Sequence, residues 1–223
     1  MTFQRARTEE QRNERRRQIL DAAAALLAEK PVADLTLTGL SHRVGLAKAN
    51  VLRYFESREA VLLALLEAEI AGWLAEMDTT TPLEGGSARE RADRFAELVA
   101  TSLARRPALC DLMSAQSSVL EHNISAETAI RHKYAIRGHV DVLIGITRRH
   151  VPELSPEDSG HLLELLMLVS VAAWPASRPP QAVLDAYTAD PELGALRIDY
   201  AEMVRSAVAL TAAGLLTRER EPR

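Results

Sequence analysis

Lys48, Asn50, Arg53 and Tyr54 fall within two helical turns of one another in the stretch GLAKANVLRYFESR, Gly45 to Arg58. These side-chain types suit a nucleic acid. Lysine and arginine donate to phosphate oxygens or guanine edges, an asparagine amide pairs with adenine, and a tyrosine hydroxyl donates to phosphate. Gly45, Ala47 and Ala49 add no bulk, so a ligand backbone can come close. No other constellation in the chain competes with this one. The histidines His42, His122, His132, His139, His150 and His161 lack the spacing of a helical zinc site. His132 and His139 share a helix face but stand two turns apart, roughly 10 Å, too far for one metal. The sequence contains no phosphate-binding glycine loop, nucleophile elbow or dinucleotide fingerprint. No metal, cofactor or enzymatic activity is expected.

The elements that position these residues read as helices throughout. Thr8 with Gln11 forms a capping box that opens the first helix. Ile19, Ala22, Ala23, Leu26 and Leu27 then make its apolar stripe, preceded by Arg12, Arg15, Arg16 and Arg17, with Arg5 and Arg7 further out. Thr36 caps a second helix carrying Leu37, Leu40 and Val44 on one face, and Gly45 ends it. A third helix fits Lys48 to Phe55. Ser57 caps a fourth, which runs to about Met77 with a stripe of Leu62, Leu66, Ile70, Trp73 and Met77. Further helices are expected from Ser87 to Ala104, Pro107 to Glu121, Ser125 to His150, Ser155 to Val171, Gln181 to Tyr187 and Ile198 to Thr217. The run WPASRPP should break the chain after the Ser155 helix. Strand-favouring runs are scarce. The fold expected is all-α: an N-terminal helix-turn-helix domain over 1–57, then a larger helical bundle over 58–223.

Charge divides the same way. The chain of 223 residues carries a formal net charge of -4. Residues 1–60 hold 11 Lys+Arg and 8 Asp+Glu, whereas residues 61–223 hold 16 and 23. A basic module on an acidic body points to a polyanion met by the first part alone. The single cysteine, Cys110, excludes an internal disulfide and fits a reducing cytoplasm. The N-terminus has no apolar core of a signal peptide, and the longest apolar run, Leu162 to Trp174, is shorter than a bilayer span of roughly 20 residues. A cytoplasmic protein is expected.

Two short helices joined by a glycine turn make a helix-turn-helix. Leu40, Val44, Val51 and Phe55 would lock the corner, leaving the opposite face of the second helix free to enter a DNA major groove. An equally physical alternative is a helical protein–protein interaction module whose cationic helix meets an acidic protein surface.

The run LTLTGLSHRVGLAKANVLRYFESREAVLLALL, Leu35 to Leu66, resembles the DNA-binding region of the tetracycline-repressor (TetR) family of transcription regulators. Thr36, Leu40, Gly45, Lys48, Val51, Tyr54-Phe55, Ser57-Arg58-Glu59 and Leu62 carry the resemblance. It implies that Lys48, Ala49, Asn50 and Arg53 lie on the recognition helix, that Tyr54 and Arg58 hold the phosphate backbone, and that Thr36 touches it from the preceding helix. The chain departs from the family pattern in three ways. Ala47 replaces a small polar cap, Leu52 replaces a frequent tyrosine, and Ala49-Asn50 replaces a common Gly-Thr pair.

The resemblance also implies a homodimeric repressor that binds a palindromic operator and is released by a small-molecule effector. The helices near 155–171 and 198–217 are expected to pair with their symmetry mates. The first is apolar around most of its circumference, and the second presents Ala207, Ala209, Ala212, Ala213 and Gly214. Candidate pocket residues are Trp73, Phe95, Cys110, Met113, Tyr134, Met167 and Trp174, with Gln116, Ser117 and His139 as polar handles.

Overall fold

The structure, a computed structural model, describes residues 2–82 and 84–218, with side chains from Glu9 onward. Among the described residues there are eleven α-helices and no strand. They divide into two compact units. One comprises the chain up to Ile70 with Asp111–Ile136, and the other Ala71–Cys110 with Arg137 onward.

The first unit begins with α1 (Thr2–Leu27), which starts well before the expected cap. Its first turns contain no glycine or proline and are rich in Glu, Gln and Arg, all good helix formers. Thr8 therefore lies inside a helix; its side chain, like those of Arg5 and Arg7, is outside the described residues. Ile19, Ala22, Ala23, Leu26 and Leu27 are all buried, as their spacing requires. After a 3-10 turn (Val32–Asp34), α2 (Leu37–Val44) starts at Thr36, whose hydroxyl accepts the Gly39 N–H at 3.0 Å. It stops at Gly45, which takes the left-handed conformation, φ 72°.

α3 (Lys48–Leu52) is shorter than the expected Lys48–Phe55. Ala47 has no side-chain cap to offer, and regular helix ends at Leu52, although the N–H groups of Tyr54 and Phe55 still bond the Val51 carbonyl at 2.9 and 3.1 Å. A helix this short gains little from its own hydrogen bonds and is held by packing. α4 (Arg58–Asp78) follows, with the Ser57 hydroxyl accepting the Ala60 N–H. Its stripe from Leu62 to Met77 is buried as expected.

α6 (Pro107–Ala115) gives way to a π-turn (Gln116–Leu120) where continuous α-helix was expected to Glu121. α7 (Ala126–His150) is capped by Ser125, whose N–H and hydroxyl also donate to Glu56. Within the first unit the buried His132 is held between Glu67, 2.7 Å from its Nδ1, and Gln116, 3.3 Å from its Nε2. The boundary between the units falls inside α4, α6 and α7.

In the second unit α5 (Ala88–Ala104) starts with a complete Ser87–Glu90 capping box, and α8 (Pro156–Ala176) with a Ser155–Asp158 box. α11 (Tyr200–Thr217) packs against both. α8 does not break at Trp174-Pro175. Pro175 removes a hydrogen bond only in the last turn, and buried Trp174, edge-on to Tyr200 and under the Arg178 guanidinium, holds that turn in place. α9 (Gln181–Ala189) is longer than expected, and α10 (Pro191–Gly194), capped by Asp190, was not anticipated. α8 is long and apolar enough to cross a membrane by length and composition, but its Leu162, Leu163 and Leu166 are buried in this unit.

Candidate nucleic-acid interface

The α2–α3 corner is built from the inside. Leu40 and Val51 are fully buried and Phe55 nearly so, while Val44 is half-buried at the rim. Fixing these apolar residues inward turns Ala47, Lys48, Ala49, Asn50, Leu52 and Arg53 outward, and all six are exposed. Among the described residues no intramolecular hydrogen bond or ion pair occupies the side chains of Lys48, Asn50 or Arg53. Tyr54 is half-buried. Thr36 is exposed; its hydroxyl oxygen accepts the Gly39 N–H and keeps its own hydrogen to donate. These groups supply two cations, an amide and two hydroxyls.

Arg58 differs. Its side chain is 21% exposed, and it donates to the Leu35 carbonyl at 2.9 Å and to the Glu59 carboxylate at 3.0 Å. It clasps the start of α4 to the segment before α2. Arg16, which sequence reasoning did not separate from its neighbours, reaches α3 from α1. Its Nη1 donates to the Tyr54 carbonyl at 2.6 Å, and its guanidinium lies 4.1 Å from the centre of the Phe55 ring. Burial, with Arg131 and Arg12 nearby, lowers its pKa from the ordinary arginine value, though arginine stays charged. A signal for it exists in the sequence. Arg16 stands three residues before Ile19, on the continuation of the buried stripe of α1. An open cleft beside it is lined by Glu10, Gln11, Arg12, Glu14, Arg15, Gln18, Arg53 and Tyr54.

The ten pocket candidates are divided between the two units. Met113, Gln116, Ser117 and Tyr134 belong to the first unit, and Trp73, Phe95, Cys110, His139, Met167 and Trp174 to the second. Tyr134 is 69% exposed, and Ser117 is exposed as well. Gln116 is engaged with Glu121 and His132. Trp73 donates its indole N–H to Ser102 at 2.9 Å, and Phe95 stacks on His150. Cys110 Sγ lies 3.3 Å from the Tyr200 hydroxyl, whose pKa burial pushes well above the ordinary phenol value. Met113 is buried core, and Met167 and His139 are half-buried. A cleft of about 150 Å³ in the second unit is lined by Thr80, Thr81, Arg91, Arg94, Leu98 and His150.

Comparison with known proteins places this geometry. Residues 19–65 match the tetR family of bacterial regulatory proteins, and residues 67–219 match the tetracyclin repressor-like C-terminal domain. A TetR transcriptional regulator from Rhodococcus sp. RHA1 is 19% identical, with a TM-score of 0.57 over 89% of this chain and 95% of that one. FadR of Thermus thermophilus, a TetR-family transcriptional repressor solved with lauroyl-CoA, is 21% identical, with a TM-score of 0.58 over 93% and 98%. The nucleoid occlusion factor SlmA of Marinobacter nauticus is 30% identical over 104 residues, 47% of this chain and 53% of that protein. The chain thus spans about half the length of the curated relatives it matches. With both family regions matched along the chain and the helix-turn-helix formed, the protein belongs to the TetR family of DNA-binding transcription regulators.

Proposed function

We propose that this protein is a homodimeric repressor that holds a palindromic operator through paired α3 helices and releases it when a small molecule binds the helical body. The observation that carries the reading is the set of exposed, internally unoccupied donors on and beside α3, projected by the buried Leu40–Val51–Phe55 lock. Lys48, Ala49, Asn50 and Arg53 face the bases, while Thr36 and Tyr54 hold phosphates. Arg58 contributes indirectly, by bracing the start of α4.

One α3 reads too few base pairs for useful specificity, so two copies about 34–36 Å apart are required. The exposed apolar residues of α8 and α11, namely Leu165, Leu168, Met203 and Leu210, support a dimer through those helices. The functional division proposed is 1–57 for DNA and 58–223 for dimerisation and ligand. FadR of Thermus thermophilus, with lauroyl-CoA bound, supports an effector that carries an apolar chain. Such an effector would bind more tightly to the form with misplaced reading heads and so lower DNA affinity. The setting proposed is the cytoplasm.

The test is selection of genomic fragments by the purified protein, followed by titration of a recovered duplex. Arg53→Ala should lower affinity roughly ten- to a hundredfold, the range of one good base contact. Thermal stability should stay unchanged, because Arg53 is exposed and no other described residue bonds its side chain. Recovery of no preferred fragment, or full affinity in the variant, would overturn the reading in favour of a protein-interaction module.

A further inference from the structure

We infer that Arg16 is a positioning residue for DNA reading: from α1 it fixes the C-terminal end of α3 and does not itself contact DNA. The inference rests on the DNA-reading role proposed above. α3 has only five residues and no side-chain cap at Ala47, so something outside it must hold its end. The Tyr54 carbonyl lies just past the last turn, where helix carbonyls have no partner within the helix and a cation is favoured. Arg16 meets that need twice, through the 2.6 Å bond to this carbonyl and through its plane over Phe55. Its own helix is fixed a turn later by Ile19, which is fully buried. The line from Ile19 through Arg16 to Tyr54 therefore sets where Arg53 and Tyr54 stand.

The neighbouring arginines do otherwise. Arg15 donates to Gln18, Arg17 pairs with Glu14, and Arg12 is exposed. Of these four, Arg16 alone donates to the α3 segment among the described residues. Its bonded Nη1 and half-buried position leave it poorly placed for a phosphate.

The two roles separate in solution. Losing a phosphate contact weakens binding to every sequence alike and lowers the salt slope by about 0.9. Losing a brace weakens operator binding selectively and leaves the slope unchanged. The experiment compares wild type, Arg16→Met, Arg16→Lys and Arg12→Met. Two duplexes of equal length are titrated across salt concentrations, one recovered by selection with wild type and one of random sequence. Amide exchange is followed over residues 48–56.

Arg16→Met should lose about tenfold or more on the recovered duplex, since hydrogen-bonded base readout tolerates little misplacement. It should retain random-duplex affinity and slope, and exchange faster at Tyr54 and Phe55. Arg16→Lys should fall between, because an ammonium can reach the carbonyl but cannot lie flat on the ring. Arg12→Met should leave exchange unchanged. Equal loss on both duplexes with a shallower slope would make Arg16 a phosphate contact and overturn the inference. So would wild-type affinity with wild-type exchange in Arg16→Met. If Arg16→Met fails to fold, wild-type operator affinity and exchange in Arg16→Lys would overturn it equally. Should wild type itself not distinguish the duplexes, the DNA-reading role fails, and exchange alone decides whether Arg16 holds α3.

Discussion

Arg16, Arg53 and Arg58 look interchangeable in the sequence and have different fates in the structure. Arg53 is exposed and its side chain bonds no other described residue, Arg58 is tied to the Leu35 carbonyl and Glu59, and Arg16 is tied to the Tyr54 carbonyl and the Phe55 ring. The carbonyls that Arg16 and Arg58 bond lie 38 and 23 residues away, beyond any helical spacing rule. His150 makes the same point in the second unit. It is packed on Phe95, with its Nε2 3.1 Å from the Thr80 hydroxyl. Burial first, and then Arg149, lower its pKa from 6.5. The unfolded chain therefore takes up this proton before the folded one does. The stability contribution is whole above the unfolded value and is lost as pH falls through the folded one. Urea unfolding should accordingly show a lower midpoint at about pH 5.5 than at about pH 7.5, and His150→Gln should reduce that difference. An undiminished difference in the variant would assign it to other groups.

Among the elements, the best-read ones were those with chemical punctuation at their ends. Thr36, Ser57, Ser87, Ser125 and Ser155 all bond the backbone of the helices they start. Other boundaries differ from expectation, even where the sequence offers a mark such as the Thr8–Gln11 box or Pro175. α1 runs back past Thr8, α3 stops before Phe55, α6 turns into a π-turn at Gln116, and α8 continues through Pro175. In each case packing or plain helix propensity decided, and a single sequence shows neither endpoint. Gly45 is the strictest position of the corner. A Cβ there would meet nothing within 4 Å, so the cost of Gly45→Ala is conformational only. Holding alanine in the left-handed region should destabilise the fold by about 1–2 kcal/mol. Urea unfolding would read that loss, and a neutral result would show that the corner relaxes to another turn.

Across the whole molecule the open matter is what covers the outer faces of α8 and α11. Leu168 and Leu210 are 67% and 69% exposed, on helices that bury their other sides against one unit's core. Single exposed leucines are ordinary, but several on two helices that pack together support the dimer proposed above. In the proposed dimer, Leu168→Glu with Leu210→Glu should give a folded monomer by light scattering at micromolar concentration, with operator binding lost. A wild-type dimer in the double variant would place the interface elsewhere. The amino-acid sequence by itself determined the all-α class, the capped helix starts, the glycine-ended corner and the outward placement of Lys48, Asn50 and Arg53. All of these follow from periodicity and neighbours a few residues apart. The tertiary structure alone decided which distant carbonyls Arg16 and Arg58 bond, that Tyr134 is exposed while Trp73 and Trp174 are buried, and how far each helix runs. Those outcomes depend on groups brought together from distant parts of the chain, where local spacing carries no information.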